Sequence, residues 1–129
     1  MMKYYFSKTI SGSFDETIKL VTEGLKSKGF GVISEIRMNE KIKEKLNVDF
    51  KRYTILGACN PSYALKALTM EDKIGVLLPC NFLVIEQGKD LIEVAAINPS
   101  ASMQTTSNPE LIGIADEVSQ MLQSVIENV

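Results

Sequence analysis

The chain contains no histidine. Within this chain that excludes an imidazole general base, a Ser-His-Asp triad and any His-ligated metal or haem. Cysteine is scarce, two in 129 residues, too few for a disulfide framework or for the four N/S ligands of a structural zinc site. Only a dimer contributing Cys59 and Cys80 twice could assemble such a site. The Cys-x-x-Cys spacing of thioredoxin-like proteins and the c-type haem motif are both missing. Positive charge is not in excess: 14 Lys+Arg against 16 Asp+Glu give a net charge of -2. A general affinity for nucleic acid or an anionic bilayer needs clustered positive charge, so neither partner is expected. The longest apolar stretch, Ile74 to Ile85, is interrupted by Pro79 and Asn81 and is shorter than the ~20 residues of a spanning helix. The start, MMKYYFSKTISGSF, lacks the apolar core of roughly 7–15 residues of a secretory signal. A cytoplasmic protein with reduced thiols is the expectation. No Gly-rich phosphate loop is present, since Gly29-Phe30-Gly31 leads into a strand, the reverse of the dinucleotide fingerprint.

What remains is an ordinary globular composition, 45% apolar and 23% charged. The whole of residues 1–129 reads as one domain, able to bury roughly two thirds of its unfolded surface. Residues 3–10 are aromatic and β-branched and predict a strand. Ser13 followed by Glu16 is a capping-box pattern. Phe14, Ile18, Val21 and Leu25 then recur on one helical face, and Gly29 ends the helix. Residues 30–37 predict a second strand and 39–47 a short charged helix anchored by Ile42 and Leu46. Residues 52–59 predict a third strand. Asn60 caps the next helix with Pro61 at its first position. The run 73–78 reads as a fourth, buried strand. Residues 81–86 and 91–97 form a hairpin around Gln87-Gly88-Lys89-Asp90. A polar loop, 99–109, leads to a last helix whose apolar stripe is Leu111, Ala115, Val118, Leu122, Val125 and Val129. The expected fold is α+β, a two-layer sandwich with an antiparallel or mixed sheet covered by helices on one face. The polar alternation at Lys8, Thr9, Ser34, Glu35 and Arg37 suggests that part of the other face is wet or covered by a partner.

Lys41, Lys43, Lys45, Lys51 and Arg52 could be taken for a basic patch. Glu40, Glu44 and Asp49 are interleaved with them, so a solvated face is the better reading. The carboxylates Asp15, Glu16, Glu23, Glu35 and Glu93 make no recognisable acid/base pair.

The one constellation with chemical content is the two cysteines in matching settings. Cys59 stands in Gly57-Ala58-Cys59-Asn60-Pro61, and Cys80 in Leu78-Pro79-Cys80-Asn81. Each precedes Asn, has a proline beside the pair, and closes an apolar run. The helix-containing crossover 60–72 suggests parallel strands, with both cysteines near their carboxyl ends on one sheet edge. The free N–H groups of the helix beginning at Pro61 should lower the pKa of a nearby thiol. Adjacent strands could bring the Cα atoms within the ~7 Å that a reversible disulfide requires. Against this, a free cysteine behaves as a small hydrophobe, Asn60 is accounted for by capping, and Asn81 by the bend at Pro79. Tyr53 and Tyr63 are expected in the core, and Met103 either over the cysteine edge or as a surface anchor.

The blocks LGACNPSYALKAL (56–68) and IGVLLPCNFLVIEQG (74–88), with FGVISEIRM (30–38) and NPSASMQTTSNPELIGIADEV (98–118), resemble the domain-of-unknown-function 302 family over nearly the whole chain. The resemblance implies a compact α+β domain, commonly a homodimer, with no agreed activity. Its motif positions fall here on Cys59, Asn60, Pro61, Pro79, Cys80 and Asn81. Where members often carry Asp-Pro after the last strand, this chain has Asn98-Pro99, which puts any acidic role there in doubt.

Function is therefore expected at Cys59, Asn60, Cys80 and Asn81: binding of a small ligand or soft metal, or redox sensing. The alternative is a structural or protein-interaction homodimer in which both cysteines are core. An enzyme with Cys59 as nucleophile ranks last, because an unassisted thiol needs a strongly lowered pKa. No cofactor is identified.

Overall fold

The computed structural model describes residues 2–129. Five strands form one sheet: β1 (Tyr5–Ser11), β2 (Gly31–Arg37), β3 (Tyr53–Cys59), β4 (Cys80–Gly88) and β5 (Leu91–Ile97), in the order β1-β5-β4-β3-β2. The helices are α1 (Phe14–Ser27), α2 (Met38–Leu46), α3 (Pro61–Met70), the single turn α4 (Pro99–Ser102) and α5 (Leu111–Glu127). With helices on one face of an open sheet, the architecture is the two-layer α+β sandwich.

The local signals act where the residues place them. Ser13 Oγ accepts from the Glu16 amide at 3.1 Å and starts α1, which buries Phe14, Val21 and Leu25. Gly29 ends the turn after α1 at φ 82°, a left-handed conformation natural for glycine. On α5 the stripe Leu111, Ala115, Val118, Leu122 and Val125 is buried, as its spacing predicts. Of these, Val118, Leu122 and Val125 join the main core with Leu56, Phe82, Val84 and Val94, which line the helix-covered face at 0% exposure.

Three expectations are corrected. Residues 73–78 are not a strand. Asp72–Leu77 forms a 3-10 turn in which Ile74 is buried while Val76 points outward, 83% exposed. The segment is apolar because Ile74 packs with Ala67, Met103, Leu111 and Ala115, a satellite cluster beside the main core. Without that strand the supposed parallel crossover disappears, and every strand pair in the sheet is antiparallel, including β3 with β4. The polar loop 99–109 is also partly helical, as α4 followed by a 3-10 turn over Met103–Thr106.

The polar positions read as a wet second face divide between the faces: Thr9 and Ser34 lie on the uncovered face, the others do not. Lys8 pairs with the fully buried Val94 and Glu35 with the fully buried Leu56, so both start from the helix-covered side at the sheet edges. The Lys8 ammonium donates to the Glu127 carbonyl at 2.9 Å, at the C-terminal end of α5, where a cation is favoured. The opposite, uncovered face carries Thr9, Ser34, Asn81 and Glu93, and between them an apolar row. Register aligns Ile36, Ile55, Leu83 and Ala95 in one row across four strands.

Candidate functional site

The antiparallel pairing of β3 with β4 sets the site. It places Ala58 opposite Cys80, so the last residue of β3, Cys59, and the first of β4, Cys80, lie at the same end of the sheet. The two strand ends lie side by side because β3 and β4 are antiparallel, not because two parallel carboxyl ends coincide, and the cysteines they carry are not near each other. Both thiols are free and the two sulfurs make no close pair.

A cavity of about 270 Å³ opens here, and Cys59, Asn60 and Cys80 all line it. Its remaining wall is apolar or aromatic: Phe30 from the start of β2, Tyr63 and Ala67 from α3, Pro79, Met103, and Ile114 with Val118 from α5. Cys59 is half-buried and Cys80 is 8% exposed, so one thiol stands toward the mouth and the other is inside. The cavity lies along the seam between the two clusters, with Ala58, Cys80 and Val118 from the main core facing Ala67 and Met103 from the satellite.

Asn60 is held as a structural group. Its Oδ1 accepts from the Tyr63 amide at 3.5 Å, capping α3, and its Nδ2 donates to the Lys28 carbonyl at 3.4 Å, tying the helix start to the turn before β2. Asn81 does not join the others. Alternation along β4 turns it to the uncovered face, where it lines a separate hollow of about 380 Å³ with Tyr5, Tyr53 and Leu83. Tyr53, expected in the core, is half-buried there, and its phenol is raised by burial, then by Tyr4 and Glu93. Tyr63 lines the cavity, its phenol raised first by a hydrogen bond to Glu117.

The electrostatic expectation for the thiols is reversed at Cys80. Burial pushes this thiol up to about 11, with a smaller contribution from Cys59 across the cavity. Desolvation of the anion is the main cause. Met103 does lie over the cysteines, buried at 8% exposure. Phe30, Ile114 and Val118 had no chemical signal in the sequence; they appear there only as members of apolar runs and stripes.

The charged segment 39–52 is a solvated face. Lys43 pairs with Asp49 and Arg52 with Asp15, each at 2.9 Å, and α2 buries no side chain.

Fold and site together define a small α+β domain with an apolar, thiol-edged cavity at the meeting of two strand ends. Residues 6–129 match the family described as "Domain of unknown function DUF302", and the chain belongs to that family. It is similar to the uncharacterized conserved protein DUF302 from Bacillus stearothermophilus in its crystal structure, with 28% identity over 98% of each chain and a TM-score of 0.91. No curated protein matches the chain.

Proposed function

We propose that the protein is a binding module for a small, predominantly apolar molecule, held in the cavity at Cys59 and Cys80. One observation carries this reading: a cavity of about 270 Å³ with an almost wholly apolar lining. Protein interiors leave few spaces larger than a water molecule, and mostly apolar concave sites are where small ligands bind. An apolar group suits the cavity better than a soft metal or a redox partner. Those would need a thiolate, and the interior thiol is pushed up to about 11. Cys59 and Cys80 then serve as polarizable wall, and Asn60 as the cap that holds one side of the mouth. Two free thiols also suit a cytoplasmic location.

The test is titration with benzene and with indole, followed by amide chemical shifts. Shifts should concentrate at Ala58, Cys80, Ala64 and Val118, and Ala64→Phe, which fills the cavity from a half-buried position on α3, should abolish them. Absence of shifts at these residues in the wild type would overturn the reading.

The uncovered sheet face favours a second role beside the first, a homodimer. Ile36, at 41% exposure, and the half-buried Ile55 and Leu83 form an apolar row that the same face of another copy could cover. Sedimentation at micromolar concentration should give a dimer, and Leu83→Lys should dissociate it. A wild-type species of 14.3 kDa would remove the dimer from consideration.

A further inference from the structure

Met103 lines two spaces at once. On one side is the apolar cavity; on the other is a groove of about 570 Å³ along α4, the turn after it and the start of α5. Adjacent residues of α5 divide between them, with Ile114 facing the cavity and Ala115 the groove. At Met103 the partition is formed by an unbranched side chain that adapts to irregular space through three rotatable bonds. It stands at the first position of a 3-10 turn, in the satellite cluster rather than the main core.

The two spaces differ in chemistry. The cavity end is apolar. The groove end presents Ser100, Gln104, Asn108 and Asp116, and Asp116 is the one ionisable group among its lining residues. The carboxylate is held in place, because Ser100 Oγ donates to its Oδ1 at 2.6 Å while the Ser100 amide donates to Ser119 Oγ at 2.9 Å. None of the ion pairs formed among the described residues involves Asp116.

We propose that cavity and groove are the two ends of one channel for an amphipathic cation, with the alkyl or aryl end beside Cys80, the ammonium at Asp116, and Met103 as the movable wall between them. The inference rests on the cavity being a ligand site and adds the ligand's class and its way in. An ammonium at the groove gains a positioned carboxylate, whereas a carboxylate head would meet a like charge.

The experiment compares n-octylamine, n-octanoate and benzene by calorimetry and amide shifts at neutral pH, on wild type, Asp116→Asn and Met103→Ala. Octylammonium should bind the wild type about fivefold or more tightly than octanoate. It should shift amides on both sides of Met103. Asp116→Asn should bring the two octyl probes to within about twofold of each other. Met103→Ala should accelerate octylammonium association, with benzene binding in both variants as the check that the cavity is intact. If benzene binds while octylammonium and octanoate are equal in the wild type, the channel is overturned and the cavity reading stands. If benzene and the octyl probes all fail to bind, both are overturned.

Discussion

Cys80 shows how a single side chain's surroundings set its chemistry. Its sulfur sits among apolar groups, and desolvating a thiolate there is what raises it. The folded protein holds this proton up to about 11, whereas the group's ordinary value is 9.0. The stabilisation is therefore fully present below the lower value and is lost as the pH rises through the upper one. Between about pH 8 and about pH 10.5 the wild type should lose ~2 kcal/mol more than Cys80→Val, which has no proton to release. Urea unfolding of both proteins at the two pH values measures the difference directly; equal losses would mean the thiol titrates normally. The same residue marks a limit of sequence reading. The sequence offers the helix N-terminus beside the cysteines, which argues for a lowered pKa. The opposing burial depends on Phe30, Met103 and Val118 closing over the site from distant parts of the chain.

At the scale of elements, Gly57 is the tightest point near the site. A Cβ there would run into the Ser34 hydroxyl and come within 2.9 Å of the Pro79 ring. β2, which shifts register between Val32 and Ser34, and the entry to β4 thus both press on β3 at one residue. Gly57→Val should destabilise by about 2 kcal/mol or more, seen as a lower urea midpoint. Gly57→Ala should fall between the two. The longer helices were legible from a cap or a stripe: α1 from Ser13 with Phe14, Val21 and Leu25, α3 from Asn60 with Pro61, α5 from its stripe alone. The hairpin of β4 and β5 was legible from two apolar runs around a polar turn. Residues 73–78 were not, because a short apolar run looks the same whether it enters a sheet or packs as a turn. The parallel crossover followed from that misreading. The placing of Cys59 and Cys80 at one end of the sheet survives it, since the end of one strand lies beside the start of its antiparallel neighbour, although the two thiols are not near each other. Asn81 does not, because the two-residue period of β4 sends it to the other face from Cys80.

The molecule as a whole has two cores of unequal weight. The main one joins α1 and α5 to the sheet through side chains such as Leu25, Phe82 and Leu122, all at 0% exposure. The satellite holds five buried residues around Ile74 and Leu111 and is built mostly from turns and short helices. Regions with fewer buried contacts open below the global unfolding free energy. Amides of 72–78 and 99–106 should therefore exchange with solvent faster than those of β3, β4 and β5, and by a sub-global route insensitive to Leu122→Ala. Uniform protection across both regions would show a single cooperative unit.

The antiparallel register opposite Cys80 has one more consequence. Residues 60–79 leave the sheet and return to it at neighbouring strand ends, so the segment is an excursion whose feet stand side by side. Lengthening or shortening it reshapes one wall of the pocket while no strand has to slide past another. The architecture separates the part of the chain that sets what fits inside from the part that keeps the scaffold in register, and the first can vary while the second stays fixed.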